Sequence, residues 1–248
     1  MRKLFIIAIL ALLPLSAFAW GVVSISGGVA APADDYSDIL FWWTCEDANL
    51  GADDYYGAGD GTATASGASI GTDGMKVGTN GIICATTYDY YALDSAGLMD
   101  LNHGRVGFYF NINTFAAGVT LLQANGSTSY IKLDVSDGGG GNGDYDINFK
   151  WRDTSTTRTA LVTSSNLSSG TWYYIEAAWD VETNYREVWI DGTSVGSSSA
   201  TINAGDATAL WIGNNPNVAA VLYIDNVAIS DDITRDLEAL KDLTASPR

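Results

Sequence analysis

Residues 171–191 read TWYYIEAAWDVETNYREVWID, and this stretch indicates the fold most directly. It contains two runs rich in aromatic and apolar residues, at positions 171–180 and 186–191, joined by a short connection at 181–185. Two such runs with a short connection are typical of a β-hairpin. The stretch therefore predicts two adjacent antiparallel strands.

Alternation of apolar and polar positions extends outward from this hairpin. Apolar side chains occupy every second position in two further segments, namely Val106, Phe108, Phe110 and Ile112 in one, and Tyr145, Ile147, Phe149 and Trp151 in the other. Such alternation predicts strands with one buried face and one face toward solvent.

Short apolar and aromatic runs follow one another from residue 39 to residue 230, separated by Gly, Asp, Asn and Ser clusters. This spacing predicts an all-β fold, either a sandwich or a jelly roll, and no helical pattern interrupts it as βαβ winding would require. Ile233, Leu237 and Leu240 then recur at helical spacing behind Asp231 and Asp232, which could cap a helix. We therefore expect one domain at residues 39–232 and a short C-terminal helix and tail at 233–248.

The N-terminus predicts export. Arg2 and Lys3 precede an apolar run at residues 4–15, and Ala17-Phe18-Ala19 matches a small-x-small cleavage site. We expect a signal peptide at residues 1–19, a flexible lead-in at 20–38, and a secreted protein, extracellular or periplasmic. The apolar run is too short to span a bilayer and no later stretch is long enough, so no membrane insertion is expected after cleavage. The alternative is that the run is retained as an N-terminal anchor.

The chain is strongly acidic. Its 12 Lys+Arg and 29 Asp+Glu residues give a formal charge of −17. Signal cleavage would remove two cations, leaving 10 − 29 = −19. Nucleic acid is therefore not an expected partner, because binding phosphates requires a basic footprint.

Cys45 and Cys84 are the two cysteines of the chain. An even number of cysteines in an oxidising compartment favours a disulfide between them. The alternative is two buried thiols that act as small hydrophobic side chains.

Motifs for common chemistries are weak. The glycine-rich residues 138–143 precede a strand pattern rather than a helix, so they predict a loop and not a dinucleotide site. His103 is the one histidine, which is insufficient for a zinc site and places a Ser-His-Asp triad in doubt. Glu176, Asp180 and Glu182 form no compact row of carboxylates of the kind that glycoside hydrolysis needs.

Six segments carry a resemblance to a known family: residues 39–47 (ILFWWTCED), 104–112 (GRVGFYFNI), 172–180 (WYYIEAAWD), 188–192 (VWIDG), 210–213 (LWIG) and 223–230 (YIDNVAIS). In their order they resemble strands of the concanavalin A-like lectin/glucanase superfamily, in particular its laminin-G-like jelly-roll members. The resemblance implies that residues 39–232 form a laminin-G-like jelly-roll domain, a two-sheet antiparallel jelly-roll sandwich. One of its sheets would be concave, and the two would pack about a hydrophobic core.

The resemblance also implies a structural calcium ion where the first and last strands meet. Glu46 or Asp47, together with Asp225, would supply carboxylate oxygens to it. The alternative is that these acids are strand-end residues hydrogen-bonded to the backbone.

Glucanases of the superfamily carry closely spaced Glu, Asp and Glu residues on one central strand, whereas Glu176 stands alone on the corresponding strand here. We therefore expect no enzymatic activity.

Alternation places six residues away from the core, where we expect them to meet a ligand: Tyr109, Asn111, Tyr174, Glu176, Trp189 and Trp211. Aromatic rings with nearby polar groups suit the apolar faces and hydroxyls of sugars.

The main hypothesis is a secreted, non-catalytic carbohydrate-binding or surface-recognition module whose partner is a glycan or surface polysaccharide. A structural or adhesion protein of the envelope or extracellular matrix, with protein partners, is the alternative. It would be favoured if the aromatic face were covered and a large apolar patch lay elsewhere. A glycan hydrolase or lyase is the third hypothesis.

Overall fold

The computed structural model describes residues 38–46, 55–56, 63–94, 99–114, 118–126, 130–137, 144–152, 157–162, 167–199, 207–214, 220–238 and 241. These residues all belong to the compact unit formed by residues 36–248. The predicted signal peptide, almost all of the predicted lead-in, and the glycine-rich residues 138–143 lie outside the described residues.

Two antiparallel sheets, here called sheet A and sheet B, make up nearly all of the described structure. Sheet A contains β1 (Ile39–Trp43), β2 (Tyr55–Tyr56), β4 (Ser69–Gly71), β5 (Gly81–Cys84), β7 (His103–Thr114), β13 (Trp172–Asp180), β14 (Tyr185–Ile190), β15 (Thr193–Ser198) and β17 (Val221–Ser230). Sheet B contains β3 (Ala63–Ser66), β6 (Asp89–Asp94), β8 (Thr120–Gly126), β9 (Tyr130–Asp137), β10 (Asp144–Arg152), β11 (Thr157–Val162), β12 (Leu167–Ser168) and β16 (Ala207–Asn214).

The strand order shows how distant segments come together. Sheet A has the order β15-β14-β13-β7-β17-β1-β2, with β5 also paired to β17 and β4 paired to β5. Sheet B has the order β11-β10-β9-β8-β16-β6-β3, with β12 paired to β10. A 3-10 turn at Thr72–Gly74 precedes β5. The predicted all-β jelly-roll sandwich is confirmed.

The predicted hairpin and the predicted alternation are both present. Strands β13 and β14 pair from Ile175 opposite Ile190 to Asp180 opposite Tyr185. The apolar members of the alternating segments enter one hydrophobic core that draws on both sheets: Val106, Phe108, Phe110, Ile112, Tyr145, Ile147, Phe149 and Trp151. Each strand therefore leaves its other face on the outside of the sandwich.

The predicted C-terminal helix does not form in the described residues. Residues 231–238 consist of a bend, a turn and irregular chain with one 3-10 residue, and residues 239–240 and 242–248 lie outside the described residues. The reason is local hydrogen bonding, because Asp232 Oδ1 accepts from the backbone N–H of Thr234 (2.8 Å) and from its hydroxyl (2.7 Å). The acid predicted to cap a helix instead closes a turn. Within the described residues, no helix has the length and hydropathy needed to cross a membrane.

The predicted disulfide is wrong. Cys45 and Cys84 form no disulfide bond with each other, and both are fully buried in the core. Cys45 has a left-handed φ of 62°, and its thiol donates to the carbonyl oxygen of Trp43 (3.6 Å). Cys84 ends β5 opposite Leu222 of β17. Both residues act as small core side chains, which was the alternative that the sequence left open.

Candidate functional site

The six residues predicted to bind a ligand do not form one surface. Five of them lie on strands of sheet A, on the face away from the core: Tyr109, Asn111, Tyr174, Glu176 and Trp189. The sixth, Trp211, lies on β16 of sheet B. Ile175 and Val188, which alternate with the sheet A set, are fully buried in the core. The predicted alternation is therefore correct, and the six residues are divided between the two sheets.

Residues 231–238, here called the strap, cover much of the outer face of sheet A. The hydroxyl of Tyr174 donates to the carbonyl oxygen of Leu237 in the strap (2.9 Å). Leu237 is fully buried and clusters with Ile39, Trp42 and Ala228. Gly107 lies beneath this contact, where an added Cβ would stand 3.2 Å from the Leu237 Cβ. The strap and sheet A therefore pack as closely as a core.

Four of the six residues are buried, although they were predicted to be exposed. The exposed fractions are 6% for Tyr109, 6% for Asn111, 1% for Tyr174 and 2% for Glu176. Trp189 and Trp211 are half-buried. Alternation correctly separates core from outer face, but it carries no information on what covers the outer face.

An ion pair between Arg105 and Glu176 lies under the strap. Arg105 Nε donates to Glu176 Oε2 (2.6 Å), and Arg105 Nη1 donates to the carbonyl oxygen of Ile233 (3.2 Å). Burial raises the pKa of Glu176, the Arg105 charge lowers it, and the charges of Asp236 and Glu238 raise it further. One carboxylate oxygen from each of the three acids lies within 4.8 Å of the others. Glu176 is therefore held by Arg105, which in turn contacts the strap.

A groove of about 730 Å³ opens beside the strap, at the β13–β15 edge of sheet A. Its wall is rich in hydroxyl groups and also contains two carboxylates, one guanidinium group and one aliphatic side chain. The lining residues are Arg105, Asp180, Thr183, Tyr185, Glu187, Ser197, Ser198, Ser199, Ile233 and Thr234.

Side-chain contacts order the floor of this groove. The Arg105 guanidinium carbon lies 4.4 Å from the centroid of the Trp189 ring, a cation–π arrangement. The Tyr185 hydroxyl donates to Glu187 Oε2 (2.6 Å), and the Ser194 hydroxyl donates to Glu187 Oε1. Burial, with this hydrogen bond, raises the pKa of Tyr185 to about 12. Tyr185 therefore stays protonated at neutral pH and keeps a fixed orientation.

The sequence interpretation missed most of the groove. Tyr185 and Glu187 alternate with Trp189 along β14, so the same alternation could have identified them. Arg105 and Ser197–Ser199 carry no local signal, because β7 and β15 flank the β13–β14 hairpin only in the folded sheet.

A smaller depression of about 360 Å³ continues from the groove and shares Asp180 and Ile233 with it. Its other lining residues are mostly acidic: Asn102, His103, Glu182, Asp231 and Asp232. The hydroxyl of Thr183 donates to Asp180 Oδ2 (2.8 Å), and this hydrogen bond lowers the pKa of Asp180. The groove and its extension are therefore a negatively charged environment.

A second group of polar residues lies where β1 and β17 meet. Asp225 Oδ2 accepts from the backbone N–H groups of Lys76 and Val77 (2.8 Å each), whereas Asp225 Oδ1 is buried without a hydrogen-bond partner. Glu46 accepts from the backbone N–H and the hydroxyl of Thr79. Burial raises the pKa of Asp225 to about 7, and the Glu46 charge adds to this increase.

These residues fit a hard cation such as Ca²⁺. An unpartnered, buried carboxylate oxygen close to a second carboxylate is the type of donor set that calcium prefers. Asp47, the third predicted ligand, lies outside the described residues. The hydrogen bonds of Glu46 and Asp225 to backbone N–H groups are also those of the alternative interpretation as strand-end acids.

Comparison with solved structures shows the same fold at low identity. Domain 4 of AbnA, an extracellular arabinanase from Geobacillus stearothermophilus, has 16% identity and a TM-score of 0.61, with 84% of this chain and 98% of that chain covered. Botulinum neurotoxin type C has 9% identity and a TM-score of 0.61, with 86% of this chain and 52% of that chain covered. Trypanosoma rangeli sialidase has 14% identity and a TM-score of 0.57, with 84% and 33% covered.

The chain thus spans about half the length of the neurotoxin chains and a third of the sialidase, but nearly all of the arabinanase domain. A search of curated proteins finds no match. A laminin G profile of the concanavalin A-like lectin/glucanases superfamily matches residues 85–238, which is more than half of the chain. The chain therefore belongs to the concanavalin A-like lectin/glucanases superfamily.

Proposed function

We propose that this protein is an exported, non-catalytic glycan-binding module, and that the groove beside the strap holds an uncharged oligosaccharide. The observation that carries the proposal is the lining of the groove. Hydroxyl groups of Thr183, Tyr185 and Ser197 line it together with the carboxylate of Glu187. Hydroxyl and carboxylate groups are the donors and acceptors that match the hydroxyls of a sugar.

The negative charge of the groove limits the class of sugar that it can bind. Asp180 and Glu187 lie in the groove, and Glu182, Asp231 and Asp232 line its extension. Arg105 is the cation among the groove-lining residues, and it is already paired with Glu176. An anionic sugar would meet net repulsion there, so a neutral glycan is the better ligand.

Known structures with this fold support a glycan ligand. The arabinanase domain is described in complex with arabinotriose. Cell entry of botulinum neurotoxin type C depends on interaction with two ganglioside molecules. These are properties of those proteins, and the groove chemistry is the reason for extending the ligand class to this chain.

The carboxylates near the groove favour binding over hydrolysis. Glycosidases need a carboxylic acid of raised pKa near a second, accessible carboxylate. Glu176 has a raised pKa but is 2% exposed and paired with Arg105. Asp180 has a lowered pKa, which is unsuited to a general acid at neutral pH.

A role in protein adhesion has less support. This role requires the predicted aromatic face to be covered and a large apolar patch to lie elsewhere on the surface. The first condition is largely met, because four of the six predicted residues are buried. The large hydrophobic side chains that are exposed among the described residues are Met75 and Tyr88. Two side chains do not supply a patch of several hundred Å².

We also propose that Ca²⁺ binds at Asp225 and Glu46, where it would complete the unmet Asp225 oxygen and join β17 to the end of β1. This role would be structural, because these acids are not among the residues that line the groove.

The test of the proposed function is a glycan array, followed by titration calorimetry with the best neutral oligosaccharide. Tyr185→Ala should weaken binding by at least about tenfold, since it removes a ring and a hydroxyl from the groove. Ser197→Trp should also weaken it by filling the groove. Tyr88→Ala is the matched control, because Tyr88 is 50% exposed and does not line the groove.

Two results would contradict the proposal. One is that the folded protein binds no neutral glycan, or that both groove variants bind as well as the Tyr88→Ala control. The other is release of new reducing ends when the protein is incubated with the bound oligosaccharide, which would show catalysis.

A further inference from the structure

A row of four side chains crosses the outer face of sheet B. The strand register aligns Trp211 of β16 with Gln123 of β8, Gln123 with Lys132 of β9, and Lys132 with Lys150 of β10. The sequence neighbours of these residues, including Leu210, Leu122, Leu133 and Phe149, are buried in the core. The row therefore lies away from the core and spans three strand spacings, about 14 Å.

The basic end of the row is held in place by one buried acid. Lys132 Nζ lies 3.1 Å and Lys150 Nζ 2.8 Å from the same oxygen, Asp134 Oδ2. The other oxygen of Asp134 accepts from the Asn148 amide (3.1 Å). Asp134 is 2% exposed, whereas the lysine side chains are 16% and 27% exposed. Two ammonium groups thus share one carboxylate, which leaves one positive charge uncompensated within this group.

A second row adds to this charge. Asn125, Tyr130 and Arg152 align across β8, β9 and β10, one step toward the Arg152 end of β10. Arg152 is exposed, and Asn125 and Tyr130 are half-buried. The acids Asp137 and Asp146 lie at the opposite end of β9 and β10. Among the described side chains of β9 and β10, positive charge is therefore concentrated at one end.

The other end of the first row is aromatic. The Trp211 ring is half-buried and packs on Tyr90, with centroids 5.3 Å apart and planes inclined by 38°. This contact fixes the indole from one side. An immobilised, partly exposed ring is suited to stacking against the apolar face of a sugar.

We propose that this face of sheet B binds an anionic polysaccharide, with a sugar ring on Trp211 and carboxylate or sulfate groups at Lys132, Lys150 and Arg152. The site is distinct from the groove of sheet A in position and in ligand charge. The neighbouring strands hold Lys132 and Lys150 about 4.8 Å apart, a spacing suited to a polymer with one anion on each sugar. Nucleic acid is a poorer match, because a duplex carries a charge every 1.7 Å or so and needs a larger basic surface.

Affinity electrophoresis with polysaccharides in the gel tests this proposal. The probes are polygalacturonate, which carries carboxylates, dextran sulfate, which carries sulfates, and uncharged dextran. We expect retardation by at least one anionic polymer and none by dextran. Retardation by polygalacturonate alone would assign the ligand to uronate-containing glycans. Retardation by dextran sulfate alone would assign it to sulfated glycans. Retardation by both polymers would show that the face accepts either anionic group.

Single variants identify the face. Lys150→Gln and Trp211→Ala should each raise the dissociation constant by about fivefold or more, and Lys150→Gln should also reduce its salt dependence. Arg152→Gln is the second charge variant, since it leaves both lysines on Asp134. Lys76→Gln is the matched control. This substitution removes one exposed positive charge from the other side of the sandwich. It keeps the backbone N–H of residue 76, which donates a hydrogen bond to Asp225.

Three results with the polysaccharide probes would overturn the proposal. They are no retardation by either anionic polymer, an equal loss of binding in Lys76→Gln and Lys150→Gln, and unchanged binding in Trp211→Ala. Equal or tighter binding of duplex DNA would also overturn it, because the face would then recognise charge density alone. Melting temperatures of the variants confirm that each is folded.

Discussion

Leu237→Ala tests whether the strap is an integral part of the fold. Leu237 is fully buried but lies outside the main core, in the small cluster with Ile39, Trp42 and Ala228. Truncation to alanine removes three carbon atoms, and each buried methylene contributes about 0.8 kcal/mol. A cavity term adds to this loss, although a cluster near the surface can partly collapse around the gap. We expect the free energy of unfolding to fall by about 2–3 kcal/mol.

Equilibrium unfolding in guanidinium chloride, followed by tryptophan fluorescence, measures this loss. Ile233→Ala is the control within the same segment, because Ile233 is half-buried at the groove and should cost less than about 1 kcal/mol. A Leu237→Ala variant within about 0.5 kcal/mol of the parent protein would refute the reasoning. The strap would then be an appendage, and the burial of Tyr174 would need another cause.

Two further predictions concern buried acids. Millimolar Ca²⁺ should raise the melting temperature of the parent protein and not that of Asp225→Asn. A Ca²⁺ concentration of 100 times the dissociation constant would stabilise the folded state by about 2.7 kcal/mol. An equal increase in both proteins would contradict a site at Asp225. For Glu176, the pKa is raised in the folded state by burial. Its stabilising contribution is therefore complete below the ordinary pKa of 4.5 and is lost as the pH rises through the folded-state value. The free energy of unfolding of the parent protein, measured against Glu176→Gln, should accordingly decrease from pH 4 upward, and a difference that increases with pH would show the opposite shift.

The strand pattern could be predicted because its causes are local. In β10, apolar residues alternate with Asp146, Asn148 and Lys150, and a strand is the conformation that sends alternate side chains to opposite faces. The same logic predicted the hairpin from residues 171–191. Neither prediction needed knowledge of which strands would be neighbours in the sheets.

Exposure could not be predicted, because the cover comes from a distant part of the chain. Tyr174 points away from the core as expected, but Leu237 buries it from 63 positions later in the sequence. The C-terminal helix failed for a related reason. Its apolar spacing fits a helix, but the Ser230 hydroxyl accepts from the Asp232 N–H (2.9 Å), and the Asp232 carboxylate accepts from Thr234. Polar side chains that bond to nearby backbone compete with helical hydrogen bonds.

The formal charge of −17 argues against nucleic acid as a general partner, but it describes the chain as a whole and no single face of it. At physiological salt the Debye length is about 8 Å, so an anion at Lys150 responds mainly to Lys132, Asp134 and Arg152. The two sheets pack about 10 Å apart, and their outer faces are separated further than this. The acids beside the sheet A groove are therefore screened from the basic row of sheet B. One acidic sandwich can consequently present an environment for neutral sugars on one side and for anionic sugars on the other, because the sheets keep the two sets of charges apart.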